Sequence, residues 1–287
     1  MAEDLQARLN SIEEAAEKLE EALKCRILLL IFHDRAPITR DVVDDVEFHL
    51  QNAEEVQSLC VVLHTPGGDP DAAYHLGIRL QDIAKERLVF IVPRYAKSAG
   101  TLLACAGDEI YLTPISELGP VDPQIYIEET GRWISAKAAV ESLRQVIGVL
   151  KAFPDISPGA VEAIIRRLPI VELSHYDSLL GHMESLLIDL LSRRMLRDKP
   201  EEVKRIAEKL VKGYKYHGKV VHTQEAQQLG LKVRLLDGEE LEAVYNLYRA
   251  IKELFNRYNR ELRPIPDLLL ETKKHEVSKG LIYLPEP

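Results

Sequence analysis

Three short, uninterrupted apolar runs do most to restrict this chain: ILLLIF at 27–32, LCVVL at 59–63 and LVFIV at 88–92. None alternates polar with apolar residues, so each needs cover on both faces. Between them lie stretches with helical spacing, at 39–52 and from Asp69 to about residue 86. Thr39 is placed to cap the first helix. Asp69 is placed to cap the second, with Pro70 in its first position. A helical stretch at 98–106 and a fourth strand at 109–112 follow. Strands that alternate with helices build a largely parallel sheet through right-handed crossovers. The fold class is therefore α/β.

Helices extend this unit at both ends. Residues 3–24 place Leu5, Leu9, Ile12, Ala16, Leu19 and Leu23 on one face, which either docks on its own domain or zips to a second subunit. Helical periodicity returns at 135–152, 158–168, 172–197 and 200–213. Thr223 is expected to cap TQEAQQLGL, Gly230 to end that helix, and VRLL to form a last strand before a helix at 239–260. The tail, 263–287, holds four prolines and many charges and is expected to wrap or hang free. The expected division is an N-terminal helix (1–25), a main domain (26–238, with a helical insertion at about 135–213) and a C-terminal helix and tail (239–287).

Apolar residues make up 46% of the chain and charged ones 29%, enough for a sizeable core in a soluble protein. The net charge of -9 argues against nucleic-acid partners, which select basic surfaces. Cys25, Cys60 and Cys105 lie far apart beside apolar stretches, which reads as buried thiols in a reducing compartment. No apolar run approaches the roughly twenty residues of a spanning helix, and MAEDLQARLN lacks the character of a secretory signal. A cytoplasmic protein without a membrane span is expected. No zinc-binding spacing and no phosphate-binding glycine loop occurs, so no metal or cofactor is expected. Any energy-driven unfolding would need a separate partner.

Two stretches carry chemistry. In HTPGGDP (64–70) a strand ends, the chain turns through Gly67 and Gly68, and a helix begins. Glycines leave backbone N–H groups uncovered, and a helix start adds a positive dipole end. In PRYAKSAGTLL (93–103) a second strand ends and a helix of small residues starts at Ser98. Such a serine is either a helix cap or a nucleophile. Both stretches fall at the carboxyl ends of parallel strands, where open α/β sheets bind ligands. The N–H groups of Gly68 and Ala99 are then positioned to share one carbonyl oxygen, as an oxyanion site requires.

HTPGG, YAKSAGT, ACAGDEIYL and ELGPVDPQI, in that order, resemble the serine dehydrogenase proteinase family of the ClpP/crotonase superfamily. That family is related to the signal peptide peptidase A (SppA) and NfeD-type serine proteases. The resemblance spans about residues 26–130 and resumes at HTQEAQQLGLKV. It implies a ClpP/crotonase-like spiral of ββα units, with added N- and C-terminal helices. It also implies serine peptidase chemistry at Ser98, oxyanion donors at Gly68 and Ala99, and a homo-oligomer.

The general base is not given by this pattern. GPVDPQI stands where ClpP carries its histidine, so a triad in the usual order is not expected. Lys97 adjoins the serine, and a chain neighbour points away from its partner. SppA and NfeD-type proteases use a lysine near a later helix start, and Lys137 in WISAKAAVES stands at a comparable separation. A lysine base must be neutral, which burial among Trp133, Ile134 and Val140 would favour. Alternatively, Lys137 snorkels to solvent. His217, ahead of HTQEA, is the competing base, and His64 and His75 flank the glycine turn. Asp122 is placed to orient a base, to bind a substrate amine, or merely to stabilise its own turn.

The expected activity is serine endopeptidase hydrolysis through an acyl-enzyme, with a Ser98–Lys137 dyad preferred over His217. A peptide or protein substrate would lie extended beside Gly67, Asp69 and Asp122. Two rivals share the fold: a crotonase-like enzyme binding a CoA thioester, and an inactive scaffold.

Overall fold

The apolar runs at 27–32, 59–63 and 88–92 become neighbouring strands of a sheet covered on both faces. The computed structural model describes residues 2–51, 56–128, 131–153, 157–166, 170–261 and 272–285. The chain opens with α1 (Ala2–Leu23), β1 (Arg26–Phe32), α2 (Arg40–Leu50), β2 (Val56–His64), α3 (Pro70–Ile83) and β3 (Ala84–Val92). β4 (Tyr95–Ala96), α4 (Ala99–Ala104), β5 (Glu109–Leu112), β6 (Glu117–Leu118), β7 (Gln124–Ile127) and β8 (Arg132–Ser135) follow. A helical stretch comprises α5 (Ala136–Ala152), α6 (Pro158–Ile165), α7 (Ile170–Arg193) and α8 (Pro200–Lys212). The chain then forms α9 (Thr223–Leu229), β9 (Val233–Leu235), α10 (Gly238–Glu261), β10 (Thr272–Val277) and β11 (Gly280–Pro285).

Among the described residues the main sheet has seven strands in the order β10-β11-β1-β2-β3-β5-β9. Every pairing is parallel except β10 with β11. Successive side chains leave opposite faces. Leu28, Leu30, Phe32, Val61, Leu63, Phe90 and Val92 pack toward α2, α3, α4, α7 and α8. Ile27, Leu29, Ile31, Val62, Val89 and Ile91 pack under α1 and α10. Each such side chain contributes about 1.5–3 kcal/mol by leaving water.

At the carboxyl ends of the strands, a second series of short segments pairs in succession. Thr65 bridges Ala96, Ala96 pairs with Leu118 in β4–β6, and Leu118 bridges Val221. Core strands thus alternate with short outer strands, as a spiral of ββα units requires.

One open alternative closes and several expectations change. α1 docks on its own domain, with Ile12, Ala16 and Leu19 fully buried against the sheet and α10. The tail does not hang free over 272–285: it forms a hairpin whose β11 extends the sheet beside β1. VRLL is therefore not the last strand. Cys25 and Cys60 are not thiols; they form a disulfide with Cα atoms 6.0 Å apart, because Cys60 stands opposite Ile27 in the β1–β2 register. Cys105 is free and buried, as expected. His222, not Thr223, caps α9, its Nδ1 accepting from the Glu225 N–H at 3.3 Å. Thr39 occupies the cap position of α2 without a side-chain hydrogen bond. Residues 52, 167–168, 263–271 and 286–287 of the expected elements lie outside the described residues. No described helix is long and apolar enough to cross a membrane.

Candidate active site

The glycine turn and the serine turn meet. Gly67 has φ 109° and Gly68 φ 148°, backbone states that favour glycine. A Cβ on Gly67 would lie 2.7 Å from the Lys97 carbonyl oxygen and 3.0 Å from Ser98 Cβ. A Cβ on Gly68 would overlap the Ile38 backbone. The Ile38 N–H donates to the Gly67 carbonyl at 2.8 Å, and the Asp69 N–H donates to the Ile38 carbonyl at 2.8 Å. In this parallel pairing the Gly68 N–H faces away from Ile38. Asp69, expected at the substrate, accepts from the N–H groups of Asp71 and Ala72 at 2.9 and 3.1 Å, so its carboxylate caps α3.

Ser98 is not a cap by its side chain. It precedes α4 with φ 51° and ψ -117°, and its hydroxyl makes no capping hydrogen bond. A non-glycine residue held at positive φ costs on the order of 1–3 kcal/mol and persists only where its surroundings impose it. Here the small, fully buried α4 and the Gly67 backbone do so. Ala99 supplies the first N–H of α4, which has no preceding helical carbonyl to bond. Lys97 is drawn away, its Nζ 2.8 Å from Glu117 Oε2 and donating to the Leu118 carbonyl at 3.1 Å.

The segment 118–122 links this turn to the candidate bases. A Cβ on Gly119 would lie 3.6 Å from the Ser98 nitrogen. Three residues on, Asp122 Oδ1 lies 2.7 Å from His217 Nδ1. Asp122 is buried, whereas His217 is partly open to solvent. Burial raises the Asp122 carboxyl, but hydrogen bonds with His217 and Ser135 outweigh it and hold the group below the ordinary carboxylate value.

Lys137 stands in the first turn of α5, where Ser135 accepts from the Ala138 N–H. Its side chain is only 13% exposed, 3.6 Å from Glu141 Oε1. Its Nζ donates to the Tyr214 carbonyl at 2.7 Å. The Ala136 N–H donates to the Pro123 carbonyl at 2.9 Å, so Lys137 adjoins the same loop as Asp122. Lys137 thus holds the Tyr214 carbonyl, three positions before His217 in the chain.

The other histidines stand apart. His64 is buried below the sheet ends, 4.2 Å from the Tyr95 ring and near Tyr248 and Phe255. His75 is exposed on α3. Neither has the His217 arrangement of one ring nitrogen on a buried carboxylate. Sequence reasoning considered Asp122 as an orienting group but not its pairing with His217, 95 residues away.

Residues 37–145 match the ClpP-like SDH-type serine proteinase family. The match covers the glycine turn, Ser98, Asp122 and Lys137, and stops before His217. Over longer stretches the chain is similar to two uncharacterized proteins of Methanocaldococcus jannaschii. One is 28% identical over 229 residues, covering 80% of this chain and 71% of the relative. The other is 26% identical over 236 residues, covering 80% and 67%. Among solved structures, a mutant of the 1510-N membrane-bound stomatin-specific protease is similar with TM-score 0.47 and 18% identity, covering 76% of this chain and 83% of that one. A second mutant of that protease, in complex with a substrate peptide, has TM-score 0.47 and 19% identity, covering 75% and 77%.

Proposed function

We propose that this protein is an endopeptidase acting through an acyl-enzyme on Ser98, with His217 as base and Asp122 as its orienting group. The observation that carries the nucleophile is the Ser98 backbone at φ 51° against the Gly67 turn, with no cap bond on its hydroxyl. The observation that favours His217 is its Nδ1 contact with buried Asp122 at 2.7 Å, since a carboxylate accepts the Nδ1 proton and leaves Nε2 as the acceptor.

Ser98 Oγ attacks the scissile carbonyl carbon as His217 Nε2 takes its proton. The N–H groups of Gly68 and Ala99 stabilise the oxyanion, each worth about 3–4 kcal/mol in the transition state. The C–N bond breaks, and the leaving amine takes the proton from His217. Water then attacks the acyl-enzyme carbonyl as His217 takes its proton, the C–Oγ bond breaks, His217 returns the proton to Ser98 Oγ, and a carboxylic acid product departs. Asp122 stabilises the imidazolium in both halves.

A second reading keeps Lys137 as base. Its support is a mostly buried side chain in the first turn of α5. Hydrolysis of fluorescein-labelled casein by wild type, Ser98→Ala, His217→Ala, Asp122→Asn and Lys137→Ala separates the readings. Loss in Ser98→Ala, His217→Ala and Asp122→Asn, with Lys137→Ala active, supports the triad. Loss in Lys137→Ala with His217→Ala active transfers the role to Lys137. Hydrolysis that survives Ser98→Ala overturns the assignment of the nucleophile.

The proposal includes a homo-oligomer but not the cytoplasmic location expected from the sequence. Exposed Trp133 on β8, with Ile147 and Phe153 at α5, supports association. The Cys25–Cys60 disulfide weighs against a reducing compartment. Sedimentation velocity and thiol trapping in intact cells test the two parts.

A further inference from the structure

We propose that Thr65 and Thr101, two fully buried threonines, are positioning residues that set the oxyanion turn and the nucleophile turn in register. This inference rests on Ser98 being the nucleophile.

Thr65 touches both turns. Its Oγ1 accepts from the Gly67 N–H at 3.1 Å, a buried bond inside the glycine turn. Its Cγ2 methyl fills the space where Gly100 lacks a side chain; a Cβ there would overlap it. Its backbone N–H donates to the Tyr95 carbonyl, and its carbonyl accepts from the Lys97 N–H, both at 3.1 Å. Gly67 in turn abuts Ser98. The contacts close a ring: Thr65 to Gly67, Gly67 to Ser98, and Gly100 back to Thr65.

Thr101 closes the other side. Its hydroxyl donates to the Ala96 carbonyl at 2.7 Å and accepts from the Gly119 N–H at 2.9 Å, both buried bonds. That ties α4 to the loop that continues to Asp122 and so to His217. A threonine hydroxyl both donates and accepts, whereas an isosteric valine would leave the Gly119 N–H and the Ala96 carbonyl without this partner. Neither hydroxyl is placed to react with substrate; each fixes where reacting groups stand. Misplacement by a fraction of an ångström at such a site lowers the chemical step rather than binding.

The test is saturation kinetics with a fluorophosphonate, which separates the phosphonylation rate constant from the binding constant. Wild type is compared with Thr65→Val, Thr101→Val, Thr65→Ser and Thr101→Ser, each with its thermal unfolding midpoint. The valine variants should lose about 10- to 100-fold in the rate constant, with binding within about 3-fold. The serine variants should recover most of the rate. If a valine variant does not fold, the serine and alanine variants, which differ by the hydroxyl, replace it. Folded valine variants reacting within about 3-fold of wild type overturn the proposal, as do serine variants impaired equally to valine. A folded wild type that does not react at Ser98 overturns the nucleophile assignment and this inference with it. A reactive wild type with unaffected threonine variants overturns this inference alone.

Discussion

Asp122 and His217, separated by 95 positions in the chain, meet with Oδ1 and Nδ1 2.7 Å apart. Asp122 belongs to the loop that touches the Ser98 turn at Gly119, so one short segment reaches both the nucleophile and the imidazole.

Asp122→Asn leaves the shape of this pair but favours the wrong imidazole tautomer. The rate of casein hydrolysis should fall by about 100-fold or more, with KM little changed. The Asp122 carboxyl is held below its ordinary value, so the pair's contribution to stability is present above the unfolded carboxylate pKa. It is lost as pH falls through the lower folded value. Urea unfolding between pH 5 and pH 3 should show a smaller decline in Asp122→Asn than in wild type.

His64 predicts a separate acid sensitivity. Burial lowers its pKa from 6.5 to about 4, so the folded protein keeps it neutral where the unfolded chain binds a proton. Stability from this group is complete above about pH 6.5 and declines as pH falls to about 4, by about 3 kcal/mol. His33, lowered chiefly by burial, adds a decline of the same sign. His64→Phe should flatten part of the profile when unfolding free energy is measured by urea titration across this range.

The Cys25–Cys60 disulfide joins residues 35 apart in sequence. Constraint of the unfolded chain should contribute about 3–4 kcal/mol. Reduction with dithiothreitol should lower the urea midpoint accordingly. Thiol titration of the unreduced, denatured protein should find Cys105 alone reactive, while reactivity at all three cysteines would contradict the pairing.

Ser98 carries positive-φ strain that alanine keeps and glycine relieves. Both Ser98→Ala and Ser98→Gly should be inactive. Ser98→Gly should nevertheless unfold with a free energy about 1 kcal/mol above that of Ser98→Ala, the relief of strain exceeding the added chain entropy. Equal stabilities would show that the turn is not strained.

The strand-helix alternation was legible because β1, β2 and β3 are covered on both faces, which leaves continuous apolar runs. Asp69 and Pro70 marked the start of α3 by chemistry local to the chain. Gly67, Gly68 and Ser98 were legible for the same reason, since backbone freedom and a hydroxyl are properties of single residues. The C-terminal hairpin was not. TKKHEV presents lysines as an edge strand does, and prolines nearby suggested a loose tail. The signal lay in GLIYLP after a glycine: Gly280 has φ 149° and lets β11 approach the Leu29 backbone. Asp122 with His217, and Cys25 with Cys60, are tertiary pairs whose partners only the register of distant segments brings together. Lys137 was favoured instead by the resemblance to proteases that use a lysine and by the apolar residues beside it in the chain.

The central claim is that the Gly67–Ser98 meeting makes Ser98 an activated nucleophile. Intact-mass analysis of the folded protein after treatment with a fluorophosphonate, followed by peptide mapping, tests this most directly. The account predicts one phosphonyl adduct per chain, located on Ser98, and none on Ser98→Ala. A folded wild type that acquires no adduct, or acquires it at another residue, would contradict the account.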